Sequence, residues 1–386
     1  MTESSDKTRF LCAVRRCQQG EKTALLSGLS ETDWNRLLDL SDRCFLTPYI
    51  FRNLEKSMEE LRIPPPIQER MKRIYYASAA KYIGWFAELK KILSEFRRRN
   101  IPIIVLKGAH LAELVYGNLA LRAMDDIDLL VKKVDFAGAE AVLRGASPEF
   151  SGKKIPMELH LDIVYPHCSV KTDIVKIWER AQPVEIAGET VLALAPEDLL
   201  FHLCLHLSLG HLFDHGGLRG LVDVAETISH FNPDWERFTA AADEHKVRNA
   251  CFMTLFLTQD LLKVDIPPAV MERLKPAEMD EEFIAWCRRR VFKEEEIYSP
   301  SRNVDSFWTS KSVFERISLL LKVVFPAPEN LSEKYHTALR KPGIYRFYLR
   351  HFRDLVYHHG ANMFRLFRGD KRMQRVVNIV EWLARE

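Results

Sequence analysis

No stretch of this chain approaches the roughly 20 consecutive apolar residues that a membrane-spanning helix needs. The opening residues, Met-Thr-Glu-Ser-Ser-Asp, carry no apolar secretion signal. The seven cysteines are scattered and odd in number, with no Cys-x-x-Cys among them. That spacing argues against a zinc knuckle and against a disulfide framework, and a reducing, cytoplasmic setting is the expectation. No internal repeat or low-complexity tract stands out. Nor is there a large excess of one charge: the formal net charge is +3, which permits an anionic substrate without requiring nucleic acid.

What is present is the composition of an ordinary globular protein, 47% hydrophobic and 28% charged over 386 residues, with room for two or three cores. Residues 1–99 read as an N-terminal helical region. Ser30-Glu-Thr-Asp33 offers N-cap chemistry ahead of Trp34, Leu37, Leu38 and Leu40 at helical spacing. After the break at Pro64-Pro65-Pro66, the periodic Met71, Ile74, Tyr75, Tyr82, Phe86, Leu89, Leu93 and Phe96 predict one long helix or a kinked pair. It ends at Arg97-Arg98-Arg99, where cations suit a helix C-terminus.

Residues 100–195 carry the chemistry. Ile101-Pro-Ile-Ile-Val-Leu-Lys107-Gly108 predicts a buried strand and a tight turn. A short helix over Gly108–Tyr116 stops at Gly117-Asn118. A second strand runs through Asp126-Ile-Asp128-Leu-Leu-Val131, with Asp126 and Asp128 on one face and Ile127 and Leu129 turned into the core. A helix from Phe136 to Leu143 ends at Gly145, and Ala146–Lys154 is a short polar connection. The strand Met157–Val164 then places Glu158, His160 and Asp162 on one face. Acids that interrupt an apolar strand are costly without a partner, and neighbouring carboxylates repel unless a cation lies between them. Asp126, Asp128 and Glu158 are therefore the expected cage for Mg²⁺ and a triphosphate, with Asp162 the reserve third carboxylate.

At these residues the chain resembles the nucleotidyltransferase superfamily, with its polymerase-β-like fold, and within it a bacterial branch of uncharacterised nucleotidyltransferases. Leu-Lys107-Gly108, then Arg122 followed by Asp126-Ile-Asp128-Leu-Leu-Val, then Glu158-Leu-His160 occur in that branch's order. The resemblance extends more loosely to Pro196-Glu-Asp-Leu-Leu and His202-Leu-Cys-Leu-His206. It implies an α+β fold, a small mixed-sheet nucleotidyltransferase core flanked by N-terminal helices and a C-terminal helical bundle. It also implies two Mg²⁺ ions, both held by Asp126 and Asp128, with Glu158 on the ion that activates the nucleophile. The implied reaction moves a nucleoside monophosphate from an NTP, ATP among the candidates, to a hydroxyl acceptor and releases pyrophosphate. Gly108 would let backbone approach a phosphate and Lys107 would supply a point charge. Arg122 is either a phosphate contact or a structural salt bridge. His160 is either a group supporting the metal site or an ordinary hydrogen-bonded histidine. The chain departs from the superfamily in having no serine after Gly108 and a longer spacer to Asp126. Two other readings stay open: phosphoryl transfer on the same cage to a peptide or small molecule, and a nucleotide sensor without turnover. The acceptor (small molecule, protein or RNA) and the oligomeric state are not specified.

Pro183–Leu194 predicts a β-hairpin turning near Ala187-Gly188, and Pro196-Glu-Asp198 a helix start. Residues 196–386 read as helical, with helices over Leu199–Leu209, Leu218–Ser229, Trp235–Glu244 and Ala250–Leu262. Asp198, His202 and His206 fall at i, i+4 and i+8 on one face. There His202 and His206 either face the nucleotide, pack in the core or, least of all, bind zinc. His211, His215, Arg219 and Asp223 share the region. Between Arg340 and Arg375, rings such as Tyr345, Phe347, Tyr348, Phe352, Tyr357, Phe364 and Phe367 alternate with arginines. That pattern suits a surface for RNA or an anionic partner, or helices with rings inward and arginines outward.

Overall fold

The computed structural model of the protein describes residues 3–15, 18–164, 170–214, 216–293, 346, 348–353 and 378–384. His215 and, of the C-terminal rings named above, all but Tyr348 and Phe352 lie outside the described residues. The chain begins with helices α1 (Glu3–Val14), α2 (Gln19–Leu26), α3 (Glu31–Arg43) and α4 (Thr47–Leu54). Ser30 caps α3 as its sequence suggests: its hydroxyl accepts the Asp33 amide and the Asp33 carboxylate accepts the Ser30 amide, both at 3.2 Å. Helix α5 (Pro65–Arg98) is one unbroken element of 34 residues, roughly 50 Å long. Proline in its first turn has no hydrogen bond to lose there.

A five-stranded mixed sheet follows. It contains β1 (Ile103–Val105), β2 (Ile127–Val131), β5 (Met157–His160), β6 (Gln182–Ile186) and β7 (Glu189–Ala193), in the order β5-β2-β1-β7-β6. Between β1 and β2 lies α6 (Lys107–His110), which widens into π-type turns over Leu111–Val115. Between β2 and β5 lie α7 (Phe136–Ala146) and a two-residue hairpin, β3 (Glu149–Phe150) with β4 (Lys153–Lys154). Helix α7 runs past Gly145 to a left-handed Ser147, and the expected polar connection is folded into this hairpin. Its turn takes Ser151 and Gly152 at positive φ, the twist that tight hairpins favour. The hairpin is too short to show alternation in the sequence, and Phe150 anchors it against Gly84 of α5. Helix α8 (Ile174–Arg180) leads to the β6–β7 hairpin, which turns at Ala187-Gly188 and joins the sheet through β7 parallel to β1.

The remaining described elements are helices: α9 (Pro196–Leu205) with π-type turns over His206–Gly210, α10 (Gly217–Phe231), α11 (Trp235–Glu244), α12 (Arg248–Leu262), α13 (Pro268–Leu274) and α14 (Glu281–Val291). No described helix is long and apolar enough to cross a membrane.

Alternation along β2 divides its side chains between two cores. Ile127, Leu129 and Val131 pack with the Tyr82–Phe96 face of α5 and with α7. Leu130 shares a core with Leu106, with α9, α10 and α12, and with the N-terminal helices. The face that carries the acids is therefore roofed by helices rather than open, because Leu130 on that face also has to be buried.

One buried ion pair ties the sheet side to the roof. Arg122, in the loop before β2, donates Nε to Asp223 of α10 at 3.2 and 3.1 Å and Nη2 to it at 2.7 Å. The Tyr116 hydroxyl donates to the same carboxylate at 2.8 Å. Truncation of one partner leaves the other charge buried and uncompensated. Asp223→Ala is expected to lower unfolding stability by about 3–5 kcal/mol in urea titration, and Arg122→Met/Asp223→Leu to recover most of the loss. A single-variant loss below about 1 kcal/mol would mean that the pair is no strut.

Candidate active site

The site starts where β1 gives way to α6. Lys107 makes that bend at φ 39, a left-handed conformation rare for lysine and a form of strain that concentrates at functional positions. The bend sends the buried Lys107 ammonium back over β2, 3.0 Å from Asp128 Oδ1. Parallel pairing sets Asp128 directly opposite Glu158, and Leu130 opposite His160. Glu158 and His160 consequently project on the Asp128 side. His160 Nε2 lies 2.6 Å from Asp128 Oδ1 and 3.8 Å from Glu158 Oε2.

One ligand atom each from Asp128, Glu158 and His160 falls within 4.8 Å of the other two. His160 thus sits inside the cluster rather than behind it, and Asp126 lines the same cleft just before β2. Asp162 is elsewhere: β5 ends at His160, and Asp162 accepts hydrogen bonds from the Thr172 hydroxyl and the Val164 amide.

The two aspartates are driven apart in acidity. Burial, then the charge of Asp128, pushes the Asp126 carboxyl up to about 6. Burial would raise Asp128 too, but the His160 hydrogen bond and the Lys107 charge outweigh it and hold this carboxyl well below the usual range. The donor set, two aspartates and a glutamate with one imidazole, suits a hard divalent cation. Like-charge strain at Asp126 is what a bound cation would relieve.

A cleft open to solvent runs from these acids to α10; Lys107, Arg122, His206 and Arg219 also line it. The loop carrying Arg122 is pinned by α5: Ser78 donates to Ala120 O at 2.8 Å and the Tyr82 hydroxyl to Met124 O at 3.0 Å. Of the two roles open to Arg122, the structural salt bridge to Asp223 is present, and the residue still borders the cleft. Gly108 borders it as well, but a Cβ there would lie 2.6 Å from Met124 Cγ, so its missing side chain makes room for Met124.

The expected face of Asp198, His202 and His206 does not act as one. Asp198 pairs with Arg180 at 2.8 and 2.7 Å. His202 is buried, its Nδ1 lies 2.6 Å from Ile163 O, and burial, then Lys107, pushes its pKa down to about 3. Only His206 of the three lines the cleft, its ring 4.4 Å from that of His211. The π-type turns that begin at His206 break the regular spacing. Two further features escaped notice in the sequence. The Tyr116 hydroxyl had no visible signal. Gly216 and Gly220 had one, three glycines within five residues at a helix start, which reads at first as a simple break.

A small mixed sheet with acids gathered on two adjacent parallel strands, roofed by helices, defines an α+β protein with an acidic cluster that could hold a metal ion. A family model described as "Uncharacterised nucleotidyltransferase" matches residues 30–263, well over half the chain, and the protein belongs to that family. No curated protein and no solved structure matches it.

The raised Asp126 carboxyl sets a pH dependence. It holds its proton more tightly in the fold than when unfolded, so its contribution to metal-free stability is full below about pH 4 and lost as pH rises through about 6. Metal binding needs the ionised form and runs the other way. Mn²⁺ affinity measured by calorimetry should fall about tenfold between pH 7 and pH 5, and Asp126→Asn should flatten that profile. An unchanged slope in the variant would assign the proton to another group.

Proposed function

We propose that the protein is a divalent-cation-dependent nucleotidyltransferase. An acceptor hydroxyl attacks the α-phosphorus of a nucleoside triphosphate in line. The new P–O bond forms as the bond to the β-phosphate bridging oxygen breaks, and pyrophosphate leaves with that electron pair. The observation that carries this reading is the convergence of Asp128, Glu158 and His160 beside Asp126, at a cleft that Lys107, Arg122 and Arg219 also line, in a chain of nucleotidyltransferase family. Mg²⁺, two ions by family resemblance, would be held by Asp126, Asp128 and Glu158 and would neutralise charge developing on the phosphates.

The chain's own groups divide the remaining work. Lys107 covers Asp128 at 3.0 Å and has a long flexible stem, so its ammonium can leave the carboxylate for a phosphate oxygen as the site fills. His160 holds the Asp128 carboxylate in place with its 2.6 Å hydrogen bond. Glu158, whose side chain is 56% exposed, reaches solvent and is the group to take the acceptor's proton. Arg122, clamped by Asp223, orients the loop that enters β2 and presents its charge to the cleft without moving.

Incubation with α-labelled and γ-labelled NTPs, Mg²⁺ and cell extract as acceptor source tests the reading. The α-label should appear on an acceptor and the γ-label in pyrophosphate. Asp128→Asn and Glu158→Gln should each lower transfer by at least roughly a hundredfold; the exposed Glu158 variant should keep the melting temperature within a few degrees, whereas loss of the buried Lys107–Asp128 pair should lower it. Movement of the γ-label to the acceptor would replace the proposal with phosphoryl transfer. Binding of nucleotide with neither label moved would replace it with a sensor.

A further inference from the structure

The turn after β1 leaves little space for an anion. A Cβ at Gly108 would stand 2.6 Å from Met124 Cγ, 2.9 Å from Met124 Sδ and 3.1 Å from Arg122 Nη1, so protein already occupies the space beside that glycine. The helix it opens has regular turns only as far as His110, too short to aim a set of amides at a phosphate.

The opposite wall is built differently. Helix α10 is 15 residues long, its cap is Gly216 at φ 91, and no side chain caps it. The amides of a first turn have no acceptor within their own helix. Here no acidic residue stands in the first turn to complement them. The cation Arg219 stands there instead, against the preference of the helix dipole. Gly216, Arg219 and Gly220 all line the cleft. A Cβ at Gly216 would meet nothing within 4 Å, so the backbone is open to approach there, whereas at Gly217 it would meet the Val291 carbonyl oxygen at 2.5 Å.

Arg219 supplies the second and independent sign. It is 6% exposed, donates Nη1 to Ala123 O at 2.7 Å and lies 3.6 Å from Asp125. Its Nε has no hydrogen-bond partner among the described residues. A guanidinium buried this deeply normally spends all its donors. Asp125 is the ion-pair partner of Arg219, and a second nearby carboxylate, Asp223, is spent on Arg122 and Tyr116. Burial, followed by the charge of Arg122, lowers the pKa of Arg219 despite the opposing pull of Asp223 and Asp125.

We infer that the first-turn amides of α10 and the Arg219 guanidinium bind the polyphosphate chain of the substrate, in place of the Lys107–Gly108 turn. The identity of that anion as a nucleoside triphosphate rests on the function proposed above; the anion site itself does not. In this arrangement the acids on β2 and β5 hold one end of the phosphate chain through a cation, and α10 holds the other through direct hydrogen bonds. It also accounts for the missing serine after Gly108, because the phosphate contacts come from the opposite side of the cleft.

The test uses the full chain and inorganic tripolyphosphate, without divalent ions. Calorimetry should show wild-type binding that weakens steeply with salt, and Arg219→Gln should weaken it at least tenfold with a melting temperature equal to or above that of the wild type. Asp126→Asn/Asp128→Asn, which removes the acids, should bind tripolyphosphate as tightly as wild type or tighter. Hydrogen exchange on the wild type, which needs no variant to fold, should show tripolyphosphate protecting residues 216–222. Failure of wild type to bind, Arg219→Gln binding within twofold of wild type, or protection confined to residues 106–112 would each overturn the inference. Tripolyphosphate binding of the expected kind without any α-label transfer would overturn the nucleotidyltransferase reading and leave this one standing.

Discussion

A buried arginine clamped between a carboxylate and a backbone carbonyl holds the two walls of the cleft at a set separation. Arg122 leaves the loop ahead of β2, crosses to Asp223 on α10 and returns Nη1 to Ala123 O at 2.8 Å. Burial disfavours its charge, and the coulombic and hydrogen-bonding pull of Asp223 more than restores it, so the guanidinium stays protonated. An ion pair of this kind adds less net stability than its Coulomb energy suggests, because both groups lose hydration. Its contribution is registry. Wherever Asp223 goes, the start of β2 follows, and with it Asp126 and Asp128.

That registry produces a cleft in which acids and cations stand close together. Acids line the edge of the sheet, Arg219 and Asp223 of α10 face them, and Lys107 lies across the acidic edge with its ammonium on Asp128. A cation entering it would meet Asp126, Asp128 and Glu158, and a polyphosphate would meet Lys107, Arg122 and Arg219. The interior of such a cleft, largely shielded by two cores, strengthens both attractions relative to water. The same shielding raises Asp126 and depresses His202, groups of opposite type pushed toward neutrality by one cause.

Much of the architecture was legible from periodicity. The long helix α5 announced itself through apolar residues at helical spacing between a proline break and an arginine run, and the β6–β7 hairpin through its Ala187-Gly188 turn. A proline and two acids marked the start of α9. These signals are local, so chain neighbours suffice to generate them. The β3–β4 hairpin escaped because two-residue strands have no period to read, and it depends on Phe150 meeting Gly84, a residue more than sixty positions away. The π-type turns at Leu111 and His206 escaped for a related reason: packing imposes them, and they shift by one residue the face that regular spacing assigns.

For the site, sequence alone determined which residue types alternate along β2 and β5, and hence that Asp128, Glu158 and His160 share a side once those strands pair. It did not determine what else shares that side. Only the tertiary structure brought Lys107 onto Asp128, filled the space at Gly108 with Met124, spent Asp223 on Arg122 and left Arg219 facing the cleft with a donor to spare. The physical reason is range. Strand alternation is set by backbone sterics over a few residues, whereas the state of a charge depends on which partners folding brings within a few ångströms. Those partners come here from positions up to about a hundred residues away along the chain.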